Sequence, residues 1–207
     1  QKTLVLQDLD VSVEPGTQLG IVGPSGRGKS TLLSLLLGLI DPTQGTVRLA
    51  SRPPAEYFAD PAVRVGYVGA EAFLVAGSIR ENLRYGAAFS TSDDDLWAAL
   101  AAAKLEVTVR ALEGGLDYLV AEDGSGLSAG QKQRLCLARA LLSDPHVLVL
   151  DEASANLDEG TESEIAASIR ELSGRTTVVV VSHRKGLLAY ADRVIELAGP
   201  RPAPGAA

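Results

Sequence analysis

Residues 18–37 constrain the fold of this chain more than any other segment. A short apolar run, Gln18–Val22, leads into Gly23-Pro24-Ser25-Gly26-Arg27-Gly28-Lys29-Ser30, and the apolar segment Thr31–Leu37 follows. The first run has the length of a strand, and the last segment has the character of a buried helix. A glycine-rich loop between a strand and a helix points backbone N–H groups at phosphate oxygens. The segment therefore predicts a phosphate-binding loop within an α/β fold.

The residue types in this loop each have a physical reason. Gly23 opens the pattern G-x-x-x-x-G-K-[ST], and Gly26 and Gly28 let the backbone turn inward without a side-chain clash. Lys29 places a positive charge at the β- and γ-phosphates, and the Ser30 hydroxyl is a ligand for Mg²⁺. A glycine-rich turn without a ligand is the simpler alternative. We expect a nucleoside triphosphate and Mg²⁺ at this loop.

A second acidic element follows an apolar strand. Val147–Leu150 is a continuous apolar run, and Asp151 and Glu152 come directly after it. Ligands of open α/β sheets bind at this edge, so Asp151 is a candidate to hold Mg²⁺ through water. Glu152 is the candidate to take a proton from, or to orient, the water that attacks a γ-phosphate, and His183 can donate to that phosphate. Charge at a helix start is the structural alternative for the carboxylates, and an isolated histidine is more often structural.

Composition limits the remaining functions. The chain has 207 residues with 46% hydrophobic and 22% charged, as expected for one soluble globular α/β domain. Its net charge is -7, which has the wrong sign for broad nucleic-acid binding, so no nucleic-acid partner is expected. Cys136 is the only cysteine and is interpreted as a small buried residue. The chain opens at Gln1 without Met, and we expect it to be a fragment of a longer polypeptide.

The pattern of the chain predicts alternating strands and helices. Predicted strands are Leu4–Leu6 and Asp10–Glu14 as an N-terminal hairpin, then Gln18–Val22, Thr46–Leu49, Arg64–Val68, Val147–Leu150, Thr176–Val181 and Arg193–Leu197. Predicted helices are Thr31–Leu37, a helix capped by Ser92, Glu106–Leu112, Ser128–Leu142 and Glu162–Leu172. Residues 1–197 are expected to form the domain, with a helical subdomain near 71–145. Residues 198–207, almost all Ala, Gly or Pro, are expected to be a mobile tail.

A further motif opens the helix predicted from Ser128: Leu127-Ser128-Ala129-Gly130-Gln131-Lys132-Gln133-Arg134. It is similar to LSGGQ-x-QR, the signature of the ATP-binding-cassette (ABC) family of transporter nucleotide-binding domains, and the chain resembles this family over almost its whole length. Asp151–Asp158 resembles the D-loop, and Ser182-His183-Arg184 resembles the switch histidine. Gly77–Leu83 and Ala121-Glu122-Asp123-Gly124 resemble the exporter branch, and the second is expected to touch membrane domains.

The resemblance implies a fold, an activity and partners. The fold class is an α/β P-loop NTPase of ABC type: a mainly parallel central sheet with flanking helices, an N-terminal antiparallel β part and a helical subdomain. The activity is Mg-ATP hydrolysis that powers an exporter, with the domain at the cytoplasmic face of the membrane beside transmembrane domains. Two nucleotide-binding domains form a head-to-tail homo- or heterodimer, and Ser128 and Gly130 of one complete the ATP site of the other. The further nucleotide contacts that it implies are Ser25, Thr31, Gln131 and Asp158.

Three departures from the family pattern keep an alternative open. Ala70 stands where the family has a glutamine that contacts Mg²⁺, and Glu71 is a candidate replacement ligand. Ala129 replaces a signature glycine. The aromatic residue that the family stacks on adenine is expected before Gln1. The alternative is an ATP-binding regulatory half of a heterodimer with impaired hydrolysis. A soluble ABC ATPase acting on DNA or the ribosome is disfavoured by charge and length, and a small-molecule kinase leaves the signature run unexplained.

Overall fold

The computed structural model describes residues 5–85, 91–121 and 124–197. Its strands, β1 to β7, span Gln18–Val22, Val65–Val68, Gly77–Ser78, Leu119–Val120, Val147–Asp151, Thr177–Val181 and Arg193–Glu196. Its α-helices, α1 to α8, span Lys29–Leu36, Pro54–Phe58, Ile79–Arg84, Asp93–Ala102, Glu106–Ala111, Ala129–Leu142, Glu159–Arg170 and Lys185–Leu188. A short 3-10 helix covers Gly115–Asp117.

Five of these strands form one parallel sheet in the order β2-β5-β6-β1-β7. Because all five run in the same direction, their carboxyl ends share one edge. Val181 of β6 lies opposite both Asp151 of β5 and Ile21 of β1 in the sheet register. The segments that follow β1, β5 and β6 therefore emerge next to one another, where open α/β sheets bind ligands.

Helices cover both faces of this sheet. On one face Leu148 and Leu150 of β5 belong to a large buried cluster with residues of α6 and α7, and this cluster continues into the helical part α3–α5. On the other face Val149 joins a smaller cluster with Leu32 and Leu33 of α1. Alternate residues of one strand thus enter opposite cores, and this explains why the strand is a continuous apolar run.

The predicted fold class is confirmed in its parallel sheet, flanking helices and antiparallel part, but the antiparallel pair lies elsewhere than predicted. It is formed by β3 and β4. Residues 5–17 form no strand in the structure, and Thr46–Leu49 contributes only an isolated bridge between Leu49 and Arg52. Val11 and Val13 do pack against the smaller cluster. Their alternation indicates which side chains face the core, and it carries no information about a backbone partner.

The helical region contains α3 to α6, while its predicted limits at 71–145 stay a prediction. Ser92 and Ser128 are the N-caps of α4 and α6 as predicted, each in a reciprocal capping box. Cys136 is buried, in line with its interpretation. The predicted mobile tail, 198–207, and Glu122 and Asp123 lie outside the described residues. Across the part of the chain that is described, no helix is long and apolar enough to cross a membrane.

Candidate nucleotide site

The glycine loop connects the end of β1 to the start of α1. Gly28 is the N-cap of α1 with φ 90, and a Cβ there would lie 2.7 Å from the Leu6 side chain. Gly26 has φ 75 and open space around it, so its backbone conformation alone favours glycine. The loop is exposed from Pro24 to Arg27. This geometry leaves an accessible cradle at the positive end of a helix dipole, which fits an anion such as a nucleotide phosphate.

Lys29 folds back over this loop. Its Nζ donates hydrogen bonds to the carbonyl oxygens of Gly23 at 2.7 Å and Pro24 at 3.2 Å. The same Nζ lies 3.1 Å from Nε2 of His183. The ammonium group therefore bridges the phosphate loop and the segment that follows β6.

Glu152 sits at a sharp backbone turn just beyond β5. Its φ is 53, a left-handed conformation that is uncommon for a residue with a side chain. Its N–H donates to the carbonyl of Val181 at 2.8 Å, and its carbonyl accepts from the N–H of Ala155 at 3.1 Å. Local strain of this kind persists only where surrounding contacts fix it, and it concentrates at functional sites. The turn holds the Glu152 carboxylate at the sheet edge.

The carboxylate of Glu152 completes a short chain of polar groups. Its Oε1 lies 3.3 Å from Nε2 of His183, which also faces Lys29. The side chain of His183 is 53% exposed and that of Glu152 is 28% exposed, so both are open to solvent and to a ligand. The structure thus brings together three residues that the sequence predicts for one site, although they are far apart in the chain.

Asp151 is the candidate metal ligand at this edge. Its Oδ2 accepts a hydrogen bond of 3.3 Å from the hydroxyl of Tyr67 on β2. Burial and the nearby Asp151 charge raise the pKa of Tyr67, so its phenol keeps its proton and remains a donor. Among the described residues no group of three or more His, Cys, Asp or Glu side chains could hold a metal. The two predicted ligands, the Ser30 hydroxyl and the Asp151 carboxylate, are donors that suit Mg²⁺, because this ion keeps several waters and also takes phosphate oxygens of a substrate.

Ser128 and Gln131 form the start of α6. The Ser128 hydroxyl accepts from the Gln131 N–H at 3.2 Å, and the Gln131 side chain accepts from the Ser128 N–H at 2.7 Å. Gly130 lies against the loop after β5, because a Cβ there would be 3.1 Å from the Asn156 carbonyl oxygen. Both of these side-chain hydrogen bonds of Ser128 and Gln131 stay within this helix start.

The other predicted ligands occupy varied positions. Ser25 and Ser30 are exposed at the glycine loop, and Thr31 is half-buried in α1. Ala70 and Glu71 are exposed beyond β2. Asp158 caps α7, where hydrogen bonds from Thr161 lower the pKa of its carboxyl.

Sequence reasoning missed four side chains that support the site: Tyr67, Gln133, Glu162 and Arg184. Glu162 left a readable signal, because it shares the spacing of Ile165, Ala166 and Ile169 on the buried face of α7. A glutamate at that position predicts a buried charge with a partner. Its partner Arg184 stands in the Ser182-His183-Arg184 motif, but the sequence carries no signal for the contact between them.

Comparison with known proteins agrees with this geometry. The family model described as ABC transporter matches residues 6–155. The chain is 38% identical over 192 residues to the Bacillus subtilis protein named uncharacterized ABC transporter ATP-binding protein YwjA, covering 92% of this chain and 33% of that protein. It is 38% identical over 195 residues to an ATP-dependent lipid A-core flippase of Burkholderia thailandensis, covering 94% and 32%.

A solved structure gives the same result for the fold. A bacterial Atm1-family ABC exporter with ATP bound superimposes with a TM-score of 0.84 at 32% identity, covering 93% of this chain and 34% of that one. The chain spans about a third of the length of the relatives that it matches. The strand, glycine loop and carboxylate edge define an α/β P-loop NTPase. The chain belongs to the ABC transporter family and corresponds to its ATP-binding ATPase domain.

Proposed function

We propose that the chain binds and hydrolyses Mg-ATP and that this reaction powers an exporter. The observation that carries the proposal is the chain of polar groups from Lys29 through His183 to Glu152, with separations of 3.1 and 3.3 Å. A positive charge that can bind a polyphosphate, a proton donor and a proton acceptor therefore lie together at one edge of the sheet. These are the parts that phosphoryl transfer to water requires.

The glycine loop and Lys29 bind the phosphates in this proposal. Backbone N–H groups at Gly26 and Gly28 donate to phosphate oxygens, and Lys29 leaves the Gly23 and Pro24 carbonyls to meet the same charge. Ser25 and Thr31 add contacts on either side. Ser30 and Asp151 hold Mg²⁺, with Glu71 as a further candidate ligand. When bound, ATP supplies the γ-phosphate that is transferred, and Mg²⁺ neutralises charge on its oxygens.

Glu152 and His183 act on the attacking water and the phosphate. The Glu152 carboxylate accepts a proton from water, because it lies at the edge where the γ-phosphate is expected. His183 donates a hydrogen bond from Nε2 to a γ-phosphate oxygen, and this bond stabilises the negative charge that develops there. The turn at Glu152 holds the carboxylate in place before the reaction. General base catalysis of this kind contributes about 10²- to 10⁴-fold to rate.

A second copy of such a domain completes the site in this proposal. Ser128 and Gly130 begin α6, whose dipole and N–H groups favour an anion. Gln131 lies in the same first turn, and Asp158 caps the following helix, α7. The side chains of Ser128 and Gln131 bond to each other's backbone N–H in a capping box, so both stay at the accessible helix start. In this proposal a γ-phosphate lies between two head-to-tail copies and links them, and hydrolysis lets them separate.

The partner in the membrane is a set of transmembrane domains, with this domain on the cytoplasmic side. The exporter-like segment that begins at Gly77 pairs through β3 with β4, the strand that directly precedes the exporter-like motif at 121–124. Phe73 and Leu119 are 60% and 74% exposed in this region. Large exposed apolar side chains suit a protein partner. The similarity to a structure named as an Atm1-family ABC exporter supports export as the direction of transport.

Steady-state Mg-ATP hydrolysis over a range of protein concentrations tests the proposal. The rate per molecule should rise with concentration because two copies form each site, and Glu152→Gln should bind ATP but lose at least about 100-fold in kcat. A Glu164→Gln variant on the exposed face of α7 is the matched control and should retain the rate. Unchanged turnover in Glu152→Gln would contradict the role of Glu152. ATP binding without any turnover would contradict the hydrolytic function.

A further inference from the structure

Arg184, the residue after His183, grips the loop that follows Glu152. Its Nη1 donates to the carbonyl oxygen of Leu157 at 2.6 Å, and its Nη2 donates to the carbonyl oxygen of Ala155 at 3.0 Å. These two carbonyls are two residues apart and face the same side of the loop. The planar guanidinium is suited to two acceptors at once, because its N–H groups have fixed directions.

A buried carboxylate holds Arg184 in this position. Glu162 of α7 is only 3% exposed, and its Oε2 lies 3.3 Å from Nη1 of Arg184. Its Oε1 accepts from the N–H of Leu187 at 3.2 Å. Gly186 leaves the necessary room, because a Cβ there would lie 2.7 Å from the Glu162 carboxyl carbon. A buried charge requires such partners, so Glu162 fixes the guanidinium.

The opposite side of the same loop is attached to α6. The Asn156 side chain donates to Oε1 of Gln133 at 3.4 Å, and Nε2 of Gln133 donates to the Gly69 carbonyl beyond β2 at 2.7 Å. This pattern assigns the Gln133 amide orientation, since the flipped form would face oxygen to oxygen at Gly69. The loop 155–157 therefore alternates its contacts, with two carbonyls toward Arg184 and one side chain toward α6.

We propose that Arg184 is a positioning residue for hydrolysis, an inference that rests on the proposed function. The carbonyl of Glu152 accepts a hydrogen bond from the N–H of Ala155, the first residue of this loop, and His183 directly precedes Arg184. The grip on Ala155 and Leu157 therefore fixes the segment after Glu152 relative to the segment that carries His183. Loss of this grip leaves both functional side chains in the protein but relaxes the distance between them, and errors of about 1 Å reduce rates strongly.

Arg184→Lys separates positioning from stability. Lysine keeps the positive charge beside buried Glu162, but one ammonium cannot reproduce the forked contact with two carbonyls. We expect kcat for Mg-ATP to fall about tenfold, because a displaced Glu152 or His183 stabilises the transition state less. KM for ATP should stay unchanged, because among the described residues the hydrogen bonds of the Arg184 side chain go to Ala155, Leu157 and Glu162 and not to the glycine loop. Arg175→Lys, at an exposed arginine, is the matched control.

Amide hydrogen exchange tests the grip without relying on turnover. Exchange in residues 153–158 should rise in Arg184→Lys and stay unchanged in α1. Arg184→Gln, which leaves Glu162 without its cationic partner, should in addition lower Tm. If wild type shows no turnover, the proposed function fails and the positioning role fails with it. If wild type hydrolyses ATP while Arg184→Lys matches it in kcat or in loop exchange, the positioning role alone is overturned. A parallel loss of Tm and ATP affinity in Arg184→Lys would show a structural role instead.

Discussion

His183 Nε2 lies 3.1 Å from Nζ of Lys29, so the segment after β6 meets the first residue of α1 at the glycine loop. The same nitrogen lies 3.3 Å from the Glu152 carboxylate. An unprotonated Nε2 accepts a hydrogen bond from Lys29, whereas a protonated Nε2 donates to Glu152. One nitrogen cannot do both, so occupation of the phosphate site and the proton on His183 are connected.

The two histidines of the chain permit a direct test of this relationship. A non-hydrolysable ATP analogue with Mg²⁺ should draw Lys29 to phosphate and change the imidazole NMR signals of His183. His146 precedes β5 at the opposite edge of the sheet, where its Nδ1 accepts from the N–H of Arg64 at 3.2 Å, so its signals should stay in place. Equal changes in both histidines would argue for a general change in the fold. No change at His183 would place the nucleotide elsewhere.

Ser128→Ala should lose both stability and activity. Ser128 caps α6, and removal of such a cap costs about 1 kcal/mol of unfolding free energy. Ser92 forms the same kind of capping box at α4, so Ser92→Ala is a matched control with a similar loss of stability. Denaturant unfolding and ATP hydrolysis, measured on both variants, distinguish the two effects. Only Ser128→Ala should lower the rate, and an equal loss in both would reduce the role of Ser128 to capping.

Glu71→Ala tests the replacement of the missing glutamine at position 70. If Glu71 contributes to the metal site, the Mg²⁺ concentration for half-maximal hydrolysis should rise about tenfold, the scale found for supporting metal contacts. KM for ATP at saturating Mg²⁺ should change little. Glu56→Ala, at an exposed glutamate of α2, is the control. A Mg²⁺ dependence equal to that of wild type would remove Glu71 from the site.

Acid should weaken the helical region through Asp117. Hydrogen bonds and charge from Arg80 lower the pKa of Asp117, and Arg80 also contacts Asp93 at the start of α4. Because the folded-state pKa is the lower one, this stabilisation is complete above the unfolded pKa of about 4 and is lost as the pH falls through the folded value. The difference in unfolding free energy between wild type and Asp117→Asn should be largest at neutral pH and should shrink as the pH falls into the acid range. A difference independent of pH would contradict this pairing.

Much of the fold was predictable because its strands are buried on both faces. Val147–Leu150 is a continuous apolar run and Thr176–Val181 ends in four valines, and the structure places strands within one residue of these limits. The predicted N-terminal hairpin is wrong, because Val11 and Val13 pack half-buried against the core although residues 10–14 have no strand partner. The short helices Pro54–Phe58 and Lys185–Leu188 are too brief to show a helical period.

The residues of the site also differ in how far the sequence predicts them. Lys29, Asp151, Glu152 and His183 follow strands whose order in the sheet makes them neighbours, so their motifs predict their meeting. The support from Arg184 and Gln133 depends on backbone carbonyls of distant loops, whose directions no side-chain pattern encodes. The residues with chemistry are thus readable from motifs, and the residues that hold them in place require the fold.

Mixing two inactive variants tests the shared site most directly. Glu152→Gln lacks the proton acceptor beside its own glycine loop, and Ser128→Arg blocks the helix start that it offers to a partner. In a mixed head-to-tail dimer one site carries both defects and the other carries none. We expect an equimolar mixture to regain about a quarter of wild-type hydrolysis, since half the dimers are mixed and each has one intact site. A mixture that stays as inactive as its components would contradict a site built from two copies.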